Sequence, residues 1–165
     1  MLSMKIHFFA INIFLSATLS ALIPQATFTP PKGWEVLSPS NTPEGITLLA
    51  RSKPKALFAS TINLAMEETS LSLEEYLEEV AKIHCGPSKH LSPLGLMQTS
   101  AGTMHIFQID EKMAWADLRI LQAILVKDSV AYVVTATTEE SEFASVITPL
   151  LDSIKSFSIL EGTKK

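Results

Sequence analysis

The sequence predicts an α+β fold: one antiparallel β-sheet flanked by helices on both faces, an α/β/α sandwich. Three observations predict it. Residues 73–81 and 143–154 repeat apolar side chains at three-four spacing, the mark of amphipathic helices. Several other segments alternate apolar and polar residues, as half-buried strands do. The strand expected over 114–127 is apolar on both faces in its second half, which requires cover on both sides of the sheet.

The N-terminus reads as a targeting segment. Lys5 gives a basic start, Phe8 to Leu19 is mostly apolar, and small residues follow at Thr18, Ser20, Ala21 and Ala26. That is the layout of a secretory signal peptide over residues 1–26, with cleavage after Ser20, Ala21 or Ala26. His7, Asn12, Ser16, Thr18 and Ser20 dilute the run, and Pro24 stops a helix, so a spanning segment is the weaker alternative. In that alternative the uncleaved segment anchors the chain. Residues 27–160 form a single domain, and 161–165 a flexible tail. The 165-residue chain has a formal net charge of −4, which argues against tracking nucleic-acid phosphates. Cys85 is the only cysteine, so no internal disulfide is available and the fold stands on packing. A buried, inert thiol is the commoner state of such a residue.

Along the domain, Thr29-Pro30-Pro31-Lys32-Gly33 is an extended lead-in, with Trp34 anchoring a first strand over 34–37. Residues 38–45 form a loop by composition, 46–50 a strand, and 58–66 a strand with Phe58, Ile62, Leu64 and Met66 on one face. Ser72 and Glu75 make a capping box for the first helix, whose apolar face is Leu73, Tyr76, Leu77, Val80 and Ala81. Glu78 and Lys82 add an i,i+4 pair, and Gly86-Pro87 ends the helix. Residues 88–93 read as loop.

Four strands follow. They are expected at 94–99, at 103–109 with a turn over 110–112, at 114–127, and at 130–137 beyond the tight turn Lys127-Asp128-Ser129. The last two are hairpin neighbours near the sheet centre. A last helix starts at Thr137 or Thr138, with a second capping box from Thr137 and Glu140. Its stripe is Phe143, Val146, Ile147, Leu150, Leu151 and Ile154. Full burial of all six would contribute on the order of 10 kcal/mol before entropy costs. Pro149 lies inside the stripe, which resumes in phase, so one kinked helix is expected.

Few residues fall in patterns that carry chemistry. His84, Cys85 and His90 are close in sequence, but zinc normally needs four ligands, or three plus water, so His105 or a glutamate would have to join them. A helix C-terminus also raises a thiol's pKa and works against a nucleophile. Glu67, Glu68, Glu74, Glu75, Glu78 and Glu79 form an acidic face without the spacing of a calcium loop, which reads as a solvated surface. Trp115, Asp117 and Arg119 share a strand face and are the candidate ligand or partner surface; an ordinary cross-strand ion pair is the plainer reading. No phosphate loop, nucleophile elbow or H-E-x-x-H is present. No catalytic residue, metal ligand or cofactor is expected.

The order of elements resembles the PsbP/Mog-like group, which includes small exported bacterial proteins of the DcrB type. The resemblance rests on Pro30-Pro31-Lys32-Gly33-Trp34, on Ser70-Leu71-Ser72-Leu73-Glu74-Glu75-Tyr76, on the hairpin through Lys127-Asp128-Ser129-Val130 and on Phe143…Pro149…Ile154-Lys155-Ser156-Phe157. It implies an antiparallel sheet between helices and a non-enzymatic binding or assembly role. No functional residue carries over, because the matching motifs are structural. The expectation is an exported, periplasmic or envelope-associated binding domain whose partner is another envelope or membrane-associated protein. An acidic cytosolic secretion chaperone is the alternative. Partner identity and oligomeric state are not written in the sequence.

Overall fold

The computed structural model describes residues 25–53 and 58–160. The expected signal segment up to residue 24 and the expected tail lie outside the described residues. In chain order the elements are β1 (Ala26–Thr27), β2 (Glu35–Val36), β3 (Ile46–Arg51), β4 (Thr61–Glu68), α1 (Leu73–Ile83), β5 (Lys89–Thr99), β6 (Gly102–Lys112), β7 (Asp117–Lys127), β8 (Val130–Glu139), α2 (Glu140–Lys155) and β9 (Ser158–Ile159). A single turn of 3-10 helix, Pro39–Asn41, interrupts the loop before β3. Seven strands form one sheet in the order β2-β3-β4-β8-β7-β6-β5, and every pairing is antiparallel.

Strand β8 is central and pairs with β7 on one side and β4 on the other. The β7–β8 hairpin closes in two residues, Asp128 and Ser129, both with positive φ (52° and 60°). Two left-handed residues suit the right-handed twist of the flanking strands, and Asp tolerates that conformation better than most residues. Lys127 therefore faces Val130, which sets the register of all that follows.

Two clusters form on alternate residues of the same strands. Ile62, Leu64, Leu121, Ala123, Tyr132, Val134 and Ala136 meet the stripe of α2. Ala65, Ile124, Val126, Ala131 and Val133 meet Leu73, Tyr76, Leu77 and Val80 of α1. Of the α2 stripe, Leu150 and Ile154 are fully buried; Phe143, Val146, Ile147 and Leu151 are only partly so. The expected six-residue burial is thus an overestimate. Phe157, just past α2, lies against Tyr132 with ring centroids 5.7 Å apart.

Local boundaries depart from the sequence reading at several points. The turn between β6 and β7 falls at 113–116, not 110–112, and is closed by Met113 N donating to Ala116 O at 3.0 Å. Asp110, Glu111 and Lys112 instead extend β6 opposite Arg119, Leu118 and Asp117. Strand β5 begins at Lys89, not Leu94. Pro93 sits at a register shift before Gly95 on the sheet edge, where a missing N–H costs no ladder bond. Phe58 precedes β4, which starts at Thr61. The expected Thr137–Glu140 capping box does not form, because β8 continues to Glu139 through its pairing with Leu118. Glu139 is the N-cap but makes no side-chain cap bond; its carboxylate instead accepts from Phe58 N at 2.9 Å.

Helix α1 begins as expected: Ser72 Oγ accepts from Glu75 N, and Glu75 Oε2 accepts from Ser72 N at 2.8 Å. It ends at a His84 cap, two residues before Gly86. Lys82 pairs with Glu79 at 2.7 Å, not with Glu78. The element absent from the sequence reading is a second, two-stranded sheet, in which β1 pairs with β9 (Ala26 with Ile159, Thr27 with Ser158).

Candidate functional site

The lead-in to β2 folds around a tight turn. Trp34 N donates to Pro31 O at 3.1 Å, and Gly33 between them has φ +82°. A positive φ at the third position is what this turn type needs, and glycine supplies it without a Cβ clash. The turn holds Trp34 half-buried against the α2 cluster. Trp34 and Gly33 line two adjoining clefts of about 530 and 210 Å³. The larger opens toward Glu35, Arg51 and Lys53; the smaller reaches Phe58, Ser60, Glu142 and Val146. Arg51 is held by Glu35, its cross-strand partner, at 2.9 Å. Lys53 is exposed and makes no ion pair among the described residues.

Phe58 links this cleft to the surface expected from the sequence. Its ring lies 5.9 Å from that of Trp115, which is 44% exposed. Trp115 sits in the β6–β7 turn and not on the strand, so it does not share a face with Asp117 and Arg119 in the way the alternation implied. Asp117 is exposed at the start of β7, opposite Lys112, and forms no ion pair among the described residues. Arg119 is committed: Nε donates to Asp110 and Nη2 to Glu140, both at 2.7 Å, and its guanidinium stands 5.0 Å from the Phe143 ring centre.

Arg119 forms a cross-strand ion pair with Asp110, which faces it from β6. Partial burial works to raise the Asp110 pKa, but the Arg119 and Gln108 donors outweigh it and hold the carboxyl below its usual range. Arg119 thereby ties β6, β7 and the first turn of α2 together. This network was missed in the sequence because the turn was placed three residues early. Counting back from a turn at 113–116 puts Asp110 opposite Arg119.

The other sequence candidates separate. Cys85 is an exposed free thiol, contrary to the buried state expected. His84 is 7% exposed, and neither ring nitrogen has a hydrogen-bond partner among the described residues. Burial first, then the Lys89 cation, lowers its pKa, with Glu111 opposing. Lys89 and Glu111 pair at 3.2 Å with little exposure of either side chain. His90 is exposed. No group of three or more metal-binding side chains occurs among the described residues. The acidic face is divided: Tyr76 OH donates to Glu67, Glu75 caps α1 and Glu79 takes Lys82, while burial and then Glu67 raise the Tyr76 pKa. Among the described residues no helix is long and apolar enough to cross a membrane.

No protein-family model and no curated protein sequence matches the chain. Solved structures do. LpqN, described as involved in cell envelope biogenesis of Mycobacterium tuberculosis, superposes with a TM-score of 0.62 at 12% identity, over 82% of this chain and 83% of that one. Cyanobacterial PsbP (CyanoP) from Synechocystis sp. PCC 6803 gives 0.52 at 10% identity, over 88% and 99%. The Saccharomyces cerevisiae Ran-binding protein Mog1p gives 0.55 at 15% identity, over 81% and 89%. The chain has the PsbP/Mog1-like fold, as the sequence resemblance implied.

Proposed function

We propose that this chain is an exported, non-catalytic binding or assembly-factor domain of a bacterial cell envelope. Its partner is a protein that docks on the aromatic end of the sheet. The carrying observation is the run Trp34, Phe58 and Trp115, with Trp115 partly exposed beside an open cleft. Tryptophan and arginine are the side chains that most often dominate protein interfaces. The two arginines at this end are engaged in pairs that brace the fold, Arg51 with Glu35 and Arg119 with Asp110 and Glu140. We also read the sheet as covered on both faces, since α1 and α2 meet alternate residues of β4, β7 and β8.

Export draws on the N-terminal layout, and an envelope role on the likeness to LpqN; a protein partner draws on the likeness to the Ran-binding Mog1p. The test is crosslinking capture from native membranes with the full chain and with Trp115→Ala. The variant should keep its melting temperature and lose the captured protein. Equal capture by both would move the interface away from this end. Recovery of the chain from the cytosol with Met1 intact would favour the secretion-chaperone reading.

A further inference from the structure

The N-terminal residues of the described chain are built into the fold. Ala26 and Thr27 pair with Ile159 and Ser158, and Leu160 N donates to Gln25 O at 2.6 Å. Thr29 N donates to Ser156 Oγ at 2.7 Å. Ala26 packs against the α2 cluster, and Phe28, two residues on, is only 3% exposed. This short ribbon fastens the end of α2, through Ile154 and Phe157, to the start of the domain.

A cut after Ala26 would dismantle half of that ribbon. It removes the Ala26–Ile159 pair and the acceptor of Leu160 N–H. It also places a charged α-ammonium on Thr27, next to buried Phe28. The sequence adds a separate objection. Signal peptidases take small residues at −3 and −1, and a cut after Ala26 puts Pro24 at −3. A cut after Ser20 puts the small Thr18 there; a cut after Ala21 puts Leu19, which is no smaller than Pro24, so of these two sites the pattern favours Ser20.

We propose, on the export reading above, that processing occurs after Ser20 or Ala21, so that the mature chain keeps Gln25 and Ala26 and with them β1. The N-terminal segment then divides between two stages: the residues before the cut address the chain, and Gln25 and Ala26 close the fold.

Intact-mass measurement of the full chain after expression in a bacterium with a general secretory pathway tests this. The mature protein should begin at Ala21 or Leu22. A mature protein beginning at Thr27 overturns the proposal while leaving export standing. Envelope-recovered protein with Met1 intact overturns the export reading and the proposal with it. Two variants sharpen the result. Ala26→Val places a strand-favouring, β-branched residue where a −1 position would reject it, and processing should be unchanged; loss of processing would place the cut at Ala26. Ser20→Phe with Ala21→Phe should leave at least nine-tenths of the chain unprocessed, and normal processing would overturn the proposal.

Discussion

Truncating Ile154 to alanine tests the core directly. The side chain is fully buried among residues of α2, the central strands and Phe157. Deleting its outer carbons removes transfer energy and leaves a cavity that a sheet on one side and a helix on the other cannot close. Such changes cost about 2–5 kcal/mol, and the complete burial here argues for the middle of that range, about 3.5 kcal/mol. A domain of this size is stable by only about 5–15 kcal/mol, so the loss is a large fraction of the total. With a urea m-value of about 2 kcal/mol/M, the midpoint should fall by about 1.5–2 M. Trp34 and Trp115 are the only two tryptophans, so their fluorescence reports the transition. The control is Val146→Ala on the same stripe, where the side chain is partly buried and lines the cleft. That change should cost about 1 kcal/mol. A midpoint shift for Ile154→Ala under about 0.5 M, or equal to that of Val146→Ala, would refute the packing argument.

Cys85→Ser should change stability by less than about 0.5 kcal/mol and leave partner capture intact, because the thiol is exposed; the native thiol should also react promptly with an alkylating reagent. His84 is held neutral by burial and by Lys89, so the unfolded chain takes its proton first as pH drops. Stability should therefore fall as pH passes below about 6.5, at no more than about 1.4 kcal/mol per pH unit, and His84→Leu should flatten that slope in pH-dependent melting. Asp110 acts in the same sense at lower pH: its stabilisation is present above the usual carboxylate range and is lost as pH falls through its lowered value. Asp110→Asn should cost about 0.5–1 kcal/mol at neutral pH, modest because the pair is partly solvated, and a melting temperature unchanged from pH 7 to pH 3 in the wild type would count against this role.

Sequence periodicity revealed those parts of the fold that rest on one-dimensional patterns. The α1 capping box, the β7–β8 turn and the single α2 running through Pro149 are set by residues within a few positions of one another. What periodicity missed depends on residues far apart. β1 and β9 are two residues each and lie at opposite ends of the domain, so neither shows an alternation of its own. The first part of β5 was hidden by Pro93, since a proline in a strand is informative only once the strand is known to be an edge. The α2 cap failed because two rules competed for Thr137 and Thr138. Both are good capping residues by type, but both have β-partners in β7, and the ladder won.

The same division explains the site. Alternation puts Trp115, Asp117 and Arg119 on one face, and a three-residue shift of the turn is enough to undo that. Arg119 then acquires its partners from β6 and α2, and Trp115 acquires Phe58 from the segment before β4. Trp34 enters by a route of its own, through the turn that Gly33 permits. An aromatic surface assembled from three separate segments has no signature in any one of them. Some catalytic motifs, such as H-E-x-x-H, leave a fixed local spacing in the chain, whereas a docking surface needs only exposed area and shape. That is why the fold could be argued from residue order, while the surface that carries the proposed function emerged only when the sheet brought residues 34, 58 and 115 to one end.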